Sequence, residues 1–506
     1  MIEHMFEDGT ARLDAMFERR YPTTTPESAV VMDKVRAASR AENRAAGERL
    51  VAIGELDMLR LRACGERETW VTDTWDGIAA EVAAALGVSQ ALASSYLNYS
   101  RALRNRLPRV GAALVAGDIS YAAFQTIVYR TDLVTDDAVM AAVDAEVAVR
   151  VRRWPSMTRG RLGAAVDRIV ARTDRDAVRR RREQRAGREF TIWGDGASGV
   201  MEVSGTLATT DAYAVDERLT ALAATVCEAD PRTLAQRRAD AMGALAAGAG
   251  RLACRCGRPG CPAGSQPVAS PVVIHVVADQ SSLAGTSADP GSVLGTDVLI
   301  PAETVAELAA SARLRPLTHP GDTPAEPGYV PSRALAEFVR CRDLTCRFPG
   351  CDRPAVDADI DHTIPHAQGG PTHVSNLKCL CRQHHLIKTF WGWRDQQLPD
   401  ATVIWTSPSG HTYITTPGSA LLFPNLCAPT GRLAPADPGR PRIDWCTDRA
   451  VMMPRRRRGR AQNRAQAVST ERRQNRQARR QNRAASLGPA PPPGGELPRD
   501  GEPPPF

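Results

Sequence analysis

From residue 27 to 66 apolar side chains recur at steps of three and four, and no proline interrupts them after Pro26. That period predicts one long helix. "GIAAEVAAALGVSQALASSYLNYSRALRNRLP" continues the pattern in two pieces that meet at Leu86-Gly87-Val88-Ser89. A helix-turn-helix corner is predicted there, and a second at Ala116-Gly117-Asp118-Ile119-Ser120. Ordinary helices meeting at a glycine are the default reading of both. Residues 157–188 also look helical and carry Arg179-Arg180-Arg181-Arg182, a solvated face or a phosphate-facing patch.

The period then shortens. "EFTIWGDGASGVMEVSGTL" alternates around Gly194-Asp195-Gly196, which predicts a hairpin. Two Ala-rich helices are expected near 210–229 and 232–252, and "PVVIHVVAD" at 271–279 reads as a buried strand. Proline with Gly321 and Gly328 marks 313–330 as a linker. A short helix begins at Ser332, and "ATVIWTSPSGHTYITT" predicts a second hairpin turning at Ser407-Pro408-Ser409-Gly410.

These patterns divide the chain into a flexible N-terminus (1–26), a mainly α domain with a few strands (27–312), the linker, a small α+β domain (331–420), an extension (421–453) and a tail (454–506). In the tail "QNR" recurs at 462, 474 and 481, and eight of the last nineteen residues are Pro. Such a segment buries no core of its own and is expected to be disordered when free.

Composition sharpens this picture. Aromatic residues make up 5% of the 506, and Ala and Arg are abundant, a mix that favours helices. The net charge is +8, yet Arg455 to Arg483 holds twelve Arg against one Glu, a surplus of +11 that leaves the rest at −3. The basic character therefore belongs to the tail, where Arg455, Arg456, Arg457, Arg458, Arg472, Arg473, Arg479 and Arg480 are candidate nucleic-acid contacts. The opening residues mix both charges and no apolar window reaches about 18 residues. Neither a secretory signal nor a membrane span is expected, and a cytoplasmic, nucleoid-associated protein is.

Twelve cysteines in such a chain point to metal rather than to a disulfide framework, because seven fall in two tight groups. Cys254, Cys256 and Cys261 form the first, a possible second zinc site with His275 or Cys227 as fourth ligand, or a metal-free loop. The second group lies in "CRFPGCDRPAVDADIDHTIPHAQGGPTHVSNLKCLCRQHHLIKTFWGW", residues 346–393. Cys346 and Cys351 flank one tight loop, and Cys381 and His384 form a second pair. Two such knuckles facing one another make a closed, structural zinc site. Cys379 falls on the opposite strand face and reads as core, as do Trp391, Trp393 and Trp405 beside it. Asp357 and Asp359 read as solvent-exposed. Buried packing is the default for Cys64, Cys227, Cys341, Cys427 and Cys446.

The remaining residues carry a resemblance. Asp361-His362, Ile364-Pro365, Gly369-Gly370, Asn376-Leu377, then Leu380-Cys381 and His384-His385 with Lys388-Thr389, resemble the HNH endonuclease motif of the ββα-metal (His-Me finger) fold. The resemblance covers roughly 338–395. Around it "RDLTCRFPGC", "PVVIHVVADQ" and the helical region resemble the thirteen-E-twelve repeat proteins of high-GC bacteria, in which a domain of unknown function precedes an HNH domain.

The resemblance implies a metal-dependent endonuclease that hydrolyses DNA, with a link to a mobile element or to defence as a further expectation. It makes His362 the general base, and Asp361 and His385 ligands of a Mg²⁺ or Mn²⁺ ion. It gives Asn376 to the loop that carries His362 and Lys388 to phosphate as a point charge. The commoner pattern has Cys where His384 stands, so His384 and His385 could exchange roles, and His366 or His373 could join the site. The motif chemistry does not read the sugar, so RNA fits as well as DNA. The rival is an inactive DNA-binding or regulatory protein built on the zinc module and the basic tail. Oligomeric state, target and strand preference are not written in the sequence.

Overall fold

A computed structural model describes residues 25–154, 157–178, 189–193, 200–263, 274–294, 298–310, 312–431 and 452–486. The chain forms two compact units. The first comprises residues up to 78, 94–179 and those from 455 onward; the second comprises 79–93 and 180–454.

The first unit is helical. Helix α1, Pro26–Cys64, starts at a capping box in which Thr25 accepts from the Ser28 amide and Ser28 reaches back to the cap. Only its second half is buried, through Ala46, Leu50, Ile53 and neighbours. Helices α2 (Thr74–Leu86) and α3 (Gln90–Arg101) follow, with residues 79–93 counted in the second unit, and then α4 (Pro108–Val115), α5 (Tyr121–Thr131), α6 (Asp137–Val151) and α7 (Arg159–Thr173). Both predicted corners fall where the glycines place them. Leu50, Leu107, Leu114, Phe124, Ile127, Val143, Val147, Val166 and Val170 form the core. The expected helix over 157–188 ends at Thr173, and Arg179 to Arg182 lie outside the described residues. Cys64 is disulfide-bonded, whereas ten other described cysteines are free.

The C-terminal segment corrects an expectation. Residues Arg460–Ser486 form a helix, not a disordered tail, and it belongs to this unit. Its own apolar content is low, but Val468 packs on the core and a row of arginines meets aspartates. Arg456 and Arg460 bind Asp73 and Asp76; Arg464 binds Asp132 at 2.5 Å and Arg472 binds Asp174 at 2.7 Å. Arg476 and Arg479 both pair with Asp176. Arg456, Arg472 and Arg479 are therefore committed within the fold, against their expected role as phosphate contacts. Arg455, Arg457, Arg458, Arg473 and Arg480 are exposed. Residues 487–506 lie outside the described residues.

The second unit begins with the predicted hairpin, β1 (Glu189–Trp193) against β2 (Glu202–Thr206), antiparallel with Ile192 opposite Val203. Helices α8 (Thr209–Ala223) and α9 (Leu234–Ala246) pack together next. The buried strand expected at 271–279 is reduced to the half-buried β3, Val276–Val277, beside β4 (Gly291–Val293) and β5 (Leu299–Ile300); Ile274 is exposed. A short helix α10 (Gln280–Leu283) lies between β3 and β4 in sequence, and α11 (Ala302–Ala309) follows β5. Helix α12, Arg333–Asp343, starts at the Ser332 cap.

The α+β part then has strand β6 (Asp359–His362) paired antiparallel with β7 (Leu377–Leu380), and helix α13 (Arg382–Phe390) after them. A meander of β8 (Arg394–Gln397), β9 (Val403–Thr406) and β10 (Thr412–Thr415) closes it. Phe348 packs edge-on to Trp393 and Trp405, all fully buried, and Cys379 lies in the core with Val339 and Leu377. No single helix among the described residues is long and apolar enough to cross a membrane.

Candidate active site and metal centres

The β6–β7 pair brings Asp361 opposite Lys378 and His362 opposite Leu377, and α13 brings His385 and Lys388 to the same end. The loop between the strands is fixed by Asn376, which is fully buried. Its carbonyl oxygen accepts from the Ile364 amide at 2.7 Å, and its amide donates to the carbonyls of Ile364 (3.0 Å) and Pro371 (2.9 Å). Gly370 makes this closure feasible, because a Cβ there would come within 1.9 Å of the Ile364 oxygen.

Hydrogen bonding sets the tautomer of His362. Its Nε2 lies 2.9 Å from the Thr372 hydroxyl, which donates its one hydrogen to the Gly328 carbonyl at 2.5 Å. Thr372 must then accept from Nε2–H, which leaves Nδ1 as the basic nitrogen. Tyr329 stacks on the imidazole with ring centres 5.3 Å apart, and His366 meets it edge-on at 5.6 Å. Burial, first, and then His366 and the two lysines push His362 below the ordinary histidine range, against the pull of Asp361.

Gly328 and Tyr329 belong to the segment read as a linker. That segment packs on the strand loop: Glu326 donates to the Thr372 carbonyl and His373 bonds to the Thr323 carbonyl. His373 is thereby held in the loop rather than at the base. Thr372, Gly328 and Tyr329 were missed from sequence because a Pro- and Gly-rich composition reveals no packing partner.

Asp361 divides its two oxygens. Oδ2 receives the ammonium groups of Lys378 at 2.8 Å and Lys388 at 2.7 Å. Oδ1 faces His385 Nε2 at 3.4 Å. His385 Nδ1 meets Asp359 at 2.8 Å, and a neutral ring that donates there turns the Nε2 lone pair toward Oδ1. A cation fits between two such atoms. Asp359 was expected in solvent; it is half-buried and orients the helix histidine instead. Burial would raise the Asp361 carboxyl, but Lys378 and Lys388 hold it well below the usual carboxylate range. Asp395 joins both lysines and Arg382 meets Asp359 at 3.3 Å, so three carboxylates face three side-chain cations around this point.

Lys388 is corrected by the same geometry. Its ammonium meets Asp361, Asp395 and the His362 carbonyl and is buried, so its donors serve the protein rather than a phosphate.

The second centre joins Cys346, Cys351, Cys381 and His384, whose ligand atoms all lie within 4.8 Å of one another. His384 presents Nδ1, 3.3 Å from Cys381 and 3.7 Å from Cys346, while Nε2 meets Gln90 at 3.4 Å and the ring stacks on Phe348. His384 and His385 thus face different centres. Gly350 (φ +72°) turns the first knuckle, and a Cβ there would lie 2.6 Å from the Val88 oxygen. Burial pushes the Cys346 thiol up, whereas hydrogen bonds from Cys346 and Cys351 hold Cys381 well below the usual thiol range. A cation bound among them would let all three ionise together. A third cluster, Cys227, Cys254, Cys256 and Cys261, also has ligand atoms within 4.8 Å of one another.

Residues 37–343 match the model of a domain of unknown function, DUF222, and residues 344–390 match that of the HNH endonucleases. The chain belongs to the DUF222 family. In this DUF222 chain the HNH domain follows directly, as the sequence resemblance implied. Among relatives, the uncharacterized protein Rv3776 of Mycobacterium tuberculosis is 45% identical over 88% of this chain and 90% of its own length. The uncharacterized protein Rv2100 of the same organism is 44% identical over 90% of each. No solved structure matches the chain. The HNH domain supports a nuclease-like function and a nucleic-acid substrate in general terms, and its Cys/His clusters could bind zinc.

Proposed function

We propose that this DUF222–HNH protein is a metal-dependent endonuclease that hydrolyses phosphodiester bonds in DNA. The observation that carries the proposal is the pairing at one strand end: a histidine with its basic nitrogen fixed as Nδ1, beside two acceptors that face each other across 3.4 Å. Asp361 Oδ1 and His385 Nε2 would hold a Mg²⁺ or Mn²⁺ ion, which supplies charge for the phosphate and the leaving oxygen. His362 Nδ1 takes the proton from the attacking water as its oxygen bonds to phosphorus and the ester oxygen departs. Thr372 keeps the opposite nitrogen protonated. Asn376 holds the loop, so the base does not drift as charge develops.

Cys346, Cys351, Cys381 and His384 would carry a structural zinc, closed to substrate because all four positions are protein atoms. The exposed arginines Arg455, Arg457, Arg458, Arg473 and Arg480 remain candidates for non-specific phosphate contact. Plasmid cleavage with Mg²⁺, Mn²⁺ and chelator tests the proposal. Wild type should nick DNA only with a divalent ion, and His362→Ala should be slower by about 10²–10⁴-fold at unchanged zinc content. No metal-dependent nicking by wild type would leave DNA binding without chemistry as the function.

A further inference from the structure

The part of the chain between α8 and residue 263 presents a different problem. Its two helices and the loop after them bury few apolar side chains: Leu222, Ala223, Ala241, Ala249 and Leu252. Four of these five are alanines or lie at the helix ends, too little apolar volume to order some fifty residues. Yet the loop at 252–263 is held closely against the turn after α8. Leu252 donates to Thr225 Oγ1 at 2.8 Å, Arg255 donates to Asp230 at 2.9 Å, and Arg232 bridges Asp230 to the Ala253 carbonyl.

At the centre of that contact are four free cysteines. Cys227 comes from the turn after α8, and Cys254, Cys256 and Cys261 come from the loop. Cys227 and Cys254 sulfurs are 3.5 Å apart. Tetrahedral zinc with four sulfurs about 2.3 Å away spaces its ligands in this range.

A second, independent geometric feature orients these sulfurs. Each of three receives a backbone N–H from the residue two positions later: Ala229 to Cys227, Arg258 to Cys256 and Ala263 to Cys261. Such amides fix the direction in which each sulfur points. A plain packing cluster has no use for them. His275, the other sequence candidate for a ligand, is exposed and outside the cluster.

We propose that Cys227, Cys254, Cys256 and Cys261 bind a second zinc ion, a structural Cys₄ site that staples α8 and α9 to the loop at 252–263. Four protein sulfurs close it to substrate, so its role is to supply order that the sparse core does not. The site stands apart from the HNH domain and does not depend on nuclease activity.

Metal analysis of the full-length protein, purified under reducing conditions, tests this. Wild type should hold two zinc ions per chain, and the double variant Cys254→Ser/Cys256→Ser one. Cys351→Ser should also lose one, from the other centre. Should a variant fail to fold, X-ray absorption at the zinc edge of wild type decides, with about seven sulfurs to one nitrogen summed over the two ions. One zinc per wild-type chain, iron in place of the second zinc, or a Cys227–Cys254 disulfide would each overturn the assignment.

Discussion

Two carboxylate pairs in this protein are clamped by two cations each, and they differ in one respect. In the helical unit Asp73 and Asp76 receive Arg456 and Arg460, and each also accepts the other's backbone amide, so all four oxygens have donors. In the HNH domain Asp361 and Asp395 receive Lys378 and Lys388, but Asp361 Oδ1 takes neither ammonium and faces His385 Nε2 at 3.4 Å. The saturated pair closes a fold. The unsaturated one makes a place for a cation. A buried ion network becomes a candidate site where one acceptor is left pointing at another.

The largest effect should come from breaking the saturated pair. Asp73 and Asp76 side chains are 2% and 8% exposed, and burial, reinforced by Asp73, already pushes the Asp76 carboxyl up. Removing both arginines leaves two carboxylates facing each other without a cation. Breaking a fully buried pair costs about 3–5 kcal/mol. Arg456 and Arg460 are 28% and 38% exposed, so solvent screening reduces this to about 2 kcal/mol. Arg456→Ala/Arg460→Ala should therefore melt several degrees below wild type, and adding Asp73→Asn and Asp76→Asn should recover most of the loss. Equal melting of wild type and the double variant would mean that the C-terminal helix does not close the unit. Removing residues 454–506 is accordingly expected to destabilise the helical unit, not merely to weaken DNA binding.

The unsaturated pair is tested next. Asp359 Oδ2 faces His385 Nδ1, and a neutral ring that donates there offers Nε2 to a cation. Asp359→Asn replaces an anionic acceptor with a neutral amide that can also donate, so the ring loses its fixed orientation. Such changes next to a metal ligand weaken metal affinity by about 10–100-fold. The Mn²⁺ concentration for half-maximal cleavage should rise by that factor, while zinc content and melting hold. An unchanged metal requirement would remove His385 from the cation site.

The two pairs also differ in how far they could be read from the sequence. Asp361, His362, Asn376, His384 and His385 lie within twenty-five residues, at spacings fixed by one strand pair and one helix, so a motif is visible. The helical periods were equally readable in α1 to α3, where local apolar spacing decides the element. Asp73 and Asp76 have partners some 380 residues away, in a stretch whose composition resembles a disordered polyelectrolyte. No local pattern reveals that its arginines match aspartates on a folded surface. Cys227, 27 residues before Cys254 and outside any motif, could for the same reason be named only as an alternative to His275. Lys388 was misjudged differently: a cation near a nuclease motif invites a phosphate, but burial assigned it to the protein's own carboxylates.

The smallest expected effect falls on the group that sets the base. Thr372 holds His362 by one hydrogen bond, and the hydroxyl is itself oriented by Gly328. Thr372→Val keeps the shape and removes the acceptor for Nε2–H. Nothing then favours the tautomer with Nδ1 free, and part of the population carries its proton on the nitrogen that must accept one. Losing a hydrogen bond of this kind costs about 1 kcal/mol, or several-fold in rate. The decrease should appear in kcat with KM nearly constant, because the bond orients the base and does not hold DNA. Thr372→Ser should restore the rate, since serine keeps the hydroxyl and loses only a methyl group. Nitrogen chemical shifts of His362 should show Nε2–H in wild type and a tautomer mixture in the valine variant. A valine variant that cleaves at the wild-type rate with an unmixed tautomer would show that stacking on Tyr329, 5.3 Å away, is enough to set the ring.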